Sequence, residues 1–121
     1  MQTRMQAFTT DYLSKALALD ADQEAAFLPM FEAYQKQKRT LRRQIKQILE
    51  GALAKSDQEI GGDLQAILAL QEQEFELEKA YLAKFSKVLT IRQQVALLKA
   101  REDIKQQFLR KQLKSRAGLR E

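Results

Sequence analysis

Apolar positions recur along this chain at steps of three and four and never alternate over a useful length, so the pattern predicts helices and no strand. The first helical stretch runs from about Gln2 to Leu19, with Met5, Phe8, Tyr12, Leu13, Ala16 and Leu17 along one side. The second starts after Asp20 and continues to about Leu53, where Phe27, Met30, Phe31, Tyr34, Leu41, Ile45, Ile48 and Leu49 keep the period. Pro29 lies well inside it. Its ring displaces the carbonyl four residues back and removes one hydrogen bond, so a bend is expected there; the restriction on Leu28 leaves room for a full break. A turn region is expected from Ala54 to Asp63, with Gly61-Gly62 as its clearest breaker and Asp63 as a cap. The third helix then runs from Leu64 to about Val88. The fourth starts after Thr90 and fades near Ser115, ahead of a frayed tail around Gly118.

Two short segments mark helix starts with a mechanism attached. Leu19-Asp20-Ala21-Asp22-Gln23 and Leu89-Thr90-Ile91-Arg92-Gln93 each place an apolar residue, then Asp or Thr, then Gln three positions on. In such a capping box the Asp or Thr side chain accepts from the N3 amide while the Gln reaches back to the cap's own N–H. Each box follows a short helical run and precedes a long one. That repetition suggests a duplicated helical hairpin.

Helix length adds a constraint. At about 1.5 Å per residue, a second helix of roughly thirty residues is about 45–50 Å long, whereas a compact domain of this size has a radius of gyration of roughly 14 Å. The single domain spanning residues 1–121 is therefore expected to be elongated, with seams that need a partner, and a homodimer of curved hairpins satisfies this. The third helix points the same way. Leu64, Ile67, Leu68, Leu70, Phe75, Leu77, Tyr81, Leu82, Phe85 and Val88 cover about half its circumference, wide enough for two neighbours. Glu74 and Glu78 fall inside that arc. Each is expected either to face a cation from another helix or an open groove, or to snorkel at the arc's edge.

Composition changes little in this picture but excludes much. The chain has 121 residues, of which 45% are hydrophobic and 7% aromatic, with few Gly and one Pro; Ala, Leu, Gln, Glu, Lys and Arg favour long helices. Cysteine and histidine are absent, which removes disulfides, thiolate chemistry and the commonest general base and metal ligand. Without a nucleophile–base pair or phosphate loop the chain does not read as an enzyme, and no cofactor is expected. Glu72, Glu74, Glu76 and Glu78 lack the histidines of di-metal bundles and read as a solvated acidic face. Met1, Met5 and Met30 are too few and scattered for a copper site. No run of apolar residues is long enough to span a membrane. No signal peptide is legible either, Met1 to Ala7 being polar and helix-like, although a trimmed chain looks the same.

Charge is segregated. Lys36, Lys38, Arg39, Arg42, Arg43 and Lys46 cluster in the second helix, Lys99, Arg101, Lys105, Arg110, Lys111, Lys114, Arg116 and Arg120 follow near the end, and Asp57, Glu59, Asp63, Glu72, Glu74, Glu76 and Glu78 stand between them, for a net +5 over the chain. Two uses stay open. The basic face of one helix pairs with the acidic face of the next, or it forms an attractive surface for acidic and unfolded chains, with Phe27, Met30, Phe31 and Tyr34 either adding apolar contact or serving as core. Dedicated nucleic-acid binding is not expected, because no aromatic lies within residues 36–46 to stack on bases.

Paired Leu-Thr-x-x-Gln boxes in a small, basic, all-helical chain resemble the LTxxQ group of periplasmic proteins, which includes the Spy and CpxP stress chaperones. Leu89, Thr90 and Gln93 match the motif fully, whereas Leu19, Asp20 and Gln23 carry Asp for Thr. Phe27, Pro29, Phe31, Glu32 and Tyr34 also resemble the Bacteroidetes-type version of the helix after the box, and Lys87 to Leu113 resembles the closing helix. The resemblance implies an all-α, four-helix subunit that pairs into a thin, cradle-shaped dimer in the periplasm. It further implies ATP-independent holding of unfolded clients or modulation of envelope stress, the alternative being a regulatory adaptor for one sensor or anti-sigma partner. The metal sites of one branch do not carry over, since they use His.

Overall fold

The computed structural model describes residues 4–120, with side chains for residues 7–114. The placements expected for Gln2 and for the Met1, Met5, Arg116 and Arg120 side chains fall outside the described residues. Among these residues all regular structure is helical: α1 (Arg4–Ala16), α2 (Ala21–Ala52), α3 (Asp57–Phe85) and α4 (Ile91–Arg120). The chain divides into two compact units, Met1–Ala26 with Val88–Glu121, and Phe27–Lys87.

In the first unit α1 packs against α4. Leu13 and Leu17 sit one helical turn apart, Leu97 and Ala100 share a face of α4, and Leu89 lies just ahead of that helix; all five are buried at 5% exposure or less. The first helix stops at Ala16, three residues before the expected end, because Ala18 adopts a left-handed backbone (φ 52°). Its N–H donates to the Lys15 carbonyl at 3.2 Å and that of Leu19 donates to Ser14 at 3.1 Å, which is the Schellman closure. Alanine in place of the usual glycine gives no sequence signal for this stop, and its Cβ costs about 1 kcal/mol there.

The second unit is an antiparallel hairpin of α2 and α3. Its base is an aromatic cluster: Phe27, Phe31, Tyr34, Tyr81 and Phe85 are each 8% exposed or less. The Phe27 and Phe85 ring centroids lie 4.9 Å apart edge-to-face, and those of Tyr34 and Tyr81 lie 5.5 Å apart. Further out Arg42 reaches Glu74 at 2.7 Å, the cross-helix cation expected for a carboxylate inside the apolar arc.

α2 passes Pro29 without a break, as its expected span to about Leu53 requires, and Leu28 remains helical; packing of Phe27 and Phe31 on either side outweighs the lost hydrogen bond. Two other boundaries differ from expectation. The α4 backbone stays helical to Arg120 rather than fading near Ser115. The second correction concerns the turn before α3. It is only residues 53–56 long, and Gly61-Gly62 lie inside the helix rather than breaking it. Ser56 is the N-cap, with an extended backbone (ψ 159°) and an Oγ that accepts from the Glu59 N–H at 3.4 Å while donating to Glu59 Oε1 at 3.0 Å. Asp57 and Glu59 in the first turn favour the positive end of the helix dipole. Asp63, expected as the cap, instead pairs with Lys55 at 3.0 Å.

This reassignment has a direct test. A Cβ built on Gly61 or Gly62 meets no heavy atom within 4 Å, and neither residue has a positive φ. Gly61→Ala and Gly62→Ala are therefore expected to stabilise the fold by about 0.5–1 kcal/mol each, measured by urea unfolding. Destabilisation by either alanine would restore the turn reading.

Candidate functional site

The two capping boxes form as expected, one at the start of α2 and one at the start of α4, both within the first unit. Asp20 Oδ1 accepts from the Gln23 N–H at 2.8 Å, and Thr90 Oγ1 accepts from the Gln93 N–H at 3.1 Å. In return Gln23 Oε1 takes the Asp20 N–H at 3.2 Å, and Gln93 Oε1 takes that of Thr90 at 2.9 Å. Sequence spacing did not reveal that the two glutamines also bond to each other. Gln23 Nε2 donates to Gln93 Oε1 at 2.8 Å and Gln93 Nε2 donates to Gln23 Oε1 at 3.1 Å. The remaining amide hydrogens go to the Val88 carbonyl at 3.0 Å and the Leu17 carbonyl at 3.1 Å. Both donors of each side chain are used. Leu19 is half-buried and Leu89 is buried beside the pair. Ser14 Oγ also donates to Glu24 Oε1.

The basic residues of α2 divide into two groups. Helical geometry places Lys36, Arg39, Arg43 and Lys46 within an arc of about 80°, roughly 140° from the buried positions, and all four are exposed. Among the described residues no carboxylate lies within ion-pair distance of Lys36, Arg39 or Arg43, and Lys46 touches only Glu50, at 4.0 Å. Lys38 and Arg42 lie toward the buried side of α2 instead, Lys38 half-buried and Arg42 still exposed. Lys38 Nζ lies 5.8 Å from the Tyr34 ring centre, and Arg42 holds Glu74. Successive like charges at i+3 and i+4 along the outer strip destabilise the helix by a few tenths of a kcal/mol per pair. An anionic partner relieves that repulsion.

Of the apolar residues considered for client contact, Phe27, Phe31 and Tyr34 are core, at 0%, 2% and 2% exposure. Their rings are consumed by the aromatic cluster and offer no surface. Met30 is half-buried. The exposed apolar groups lie elsewhere, and periodicity alone could not separate them from core. Leu49 at the end of α2 and Leu53 in the turn after it follow the basic strip, at 56% and 90% exposure. On α3, Leu64, Leu68 and Phe75 share a flank, and on α4 Ile91, Val95, Leu98, Leu109 and Leu113 form an outward row.

Titration adds little. Lys99 is raised above its ordinary range, first by its hydrogen bond to Asp103 (3.0 Å) and then by that carboxylate's charge. The pair sits in open solvent. Glu72 and Glu76 are exposed, with Lys79 contacting Glu76 at 3.3 Å. Among the described residues no three carboxylates gather closely enough to hold a metal ion, and no helix is long and apolar enough to cross a membrane. No protein-family model, curated protein or solved structure matches the chain.

Proposed function

We propose that this chain is an ATP-independent periplasmic holding protein of the LTxxQ type. It captures acidic and unfolded chains on the outer face of α2 and serves envelope-stress defence. The observation that carries this reading is the unpaired strip of Lys36, Arg39 and Arg43. Had the outer strip served to pair with α3, its cations would meet the α3 carboxylates as Arg42 meets Glu74, yet among the described residues Lys36, Arg39 and Arg43 meet none. Four aligned cations attract an acidic segment over about a Debye length, and Leu49 and Leu53 next along the chain hold its apolar residues.

In this reading the working form is a homodimer in which α2, curved at Pro29, lines a basic trough. Two features support it: α2 has 32 residues and is thus about 48 Å long, and the outward row on α4 offers an apolar seam.

The double variant Arg39→Glu, Arg43→Glu separates capture from a structural role. It is expected to slow capture of an acidic unfolded client by about ten- to a hundredfold at low salt, with the difference shrinking as salt rises. It should leave the fold as stable as before, or slightly more so, because like-charge neighbours are removed. Aggregation suppression with acidic and basic clients measures the first effect, and urea unfolding the second. Unchanged suppression together with lost stability would overturn the proposal. Absence of suppression combined with one tight folded partner would instead make the chain a regulatory adaptor.

A further inference from the structure

The first unit contains a groove unrelated to the α2 strip. Beyond Ala100 the inward face of α4 continues through Ile104 and Phe108 to Lys111 and Lys114, with Phe8 of α1 on the opposite wall. The opening has a volume of about 770 Å³ and a largely apolar lining, within the range of small-molecule sites. Phe8 and Phe108 remain 48% and 43% exposed, respectively, so their rings are not satisfied by packing within the unit.

Polarity along the groove is one-sided. Ile104 and Phe108 come first; Arg110, Lys111 and Lys114 gather toward the α4 C-terminus, and among the described residues no carboxylate lines the opening. Among the described residues none of these three cations has an ion-pair partner, while the neighbouring carboxylates Asp11 and Asp103 are engaged by Lys15 at 3.3 Å and Lys99 at 3.0 Å. An apolar slot ending in unpaired cations complements a molecule with a hydrocarbon tail and an anionic head. From Ile104 to Lys114 the helix rises about 15 Å, enough to lay a dodecyl chain along it.

We infer that this groove binds a free, single-chain alkyl carboxylate, its tail against Phe8, Ile104 and Phe108 and its head at Lys111 and Lys114. The two contributions act together: the tail leaves water for an apolar wall, and the carboxylate meets ammonium groups whose charge no other described residue balances.

Calorimetric titration with monomeric dodecanoate, kept below its micelle concentration, tests the site on the full chain. Saturable binding of one molecule per chain is expected. Dodecyltrimethylammonium, with the same tail and opposite charge, and acetate, with the head alone, should each bind at least about tenfold more weakly. Lys111→Glu with Lys114→Glu should lower dodecanoate affinity by at least about tenfold, and Phe108→Ser should lower it independently. Far-ultraviolet circular dichroism checks that each variant remains folded. Arg39→Glu with Arg43→Glu should leave this binding unchanged, so failure here is distinguishable from failure of the client strip. No saturable binding, equal binding of the cationic amphiphile, indifference to both groove variants, or binding only to anionic phospholipid vesicles would each overturn the assignment.

Discussion

Truncating Phe85 to alanine is expected to cost about 3–5 kcal/mol, the largest effect of any single change in the described residues. Phe85 is 2% exposed and its ring meets four others: Phe27, Phe31, Tyr34 and Tyr81, at centroid distances from 4.9 to 6.3 Å. Removing it loses the transfer energy of the ring, leaves a cavity that rigid aromatic neighbours fill poorly, and ends four tilted or edge-on contacts. Domains of this kind are stable by only about 5–15 kcal/mol, so the variant should be largely unfolded at modest urea concentrations. Phe75→Ala is the control. That residue is 59% exposed on the flank of the same helix, beneath Lys79 at 5.2 Å from its ring centre, and its loss should cost less than about 1 kcal/mol. Equal costs at the two positions would mean that the aromatic cluster does not anchor the hairpin.

Those two phenylalanines show what periodicity can and cannot convey. Both belong to the wide apolar arc of α3, and spacing alone assigns them alike; only the partner helix decides which is covered. The same ambiguity placed Phe27, Phe31 and Tyr34 among possible client contacts when they are core. Local chemistry was far more legible. Asp20 with Gln23 and Thr90 with Gln93 form their caps because a capping box is complete within four residues. Ser56 and Glu59 obey the same rule, yet the nearby Gly61-Gly62 pair carries the stronger local breaker signal, although both glycines are helical. Ala18 gave no warning of the α1 stop because its left-handed backbone is set by the Schellman hydrogen bonds, not by its side chain. The basic strip was legible as a charge run. Its division into four outward cations and two hairpin cations depended on which residues α3 brings opposite, seen in the contact of Arg42 with Glu74.

Gln93→Ala is expected to destabilise the fold by about 2–3 kcal/mol, more than an ordinary capping residue, because the side chain serves two boxes at once. Its loss strips a partner from the Thr90 N–H, from the Leu17 carbonyl and from both ends of the Gln23 amide. The Thr90 pair is exposed, but the others are part-buried, so each of those loses more than the net worth of one hydrogen bond. Gln23→Ala should cost a similar amount for the mirrored reasons. The double variant should cost less than the two singles added, by about 1 kcal/mol or more, since the reciprocal amide contact can be lost only once. Strict additivity in urea unfolding would show that the two boxes act as separate caps. Gln93→Glu sharpens the point. The new carboxylate still accepts from Thr90 and Gln23 but turns lone pairs toward the Leu17 carbonyl and Gln23 Oε1, where donors stood. The folded state therefore resists ionisation, holding that carboxyl above the ordinary glutamate value of about 4.3. The sign follows: the folded state retains the proton longer than the unfolded state, so relative to the parent the variant is most stable below about pH 4. It loses stability as pH rises from there through the raised pKa, then levels off. A flat difference from the parent across that range would mean that the amide donors of Gln93 contribute nothing to holding the boxes together.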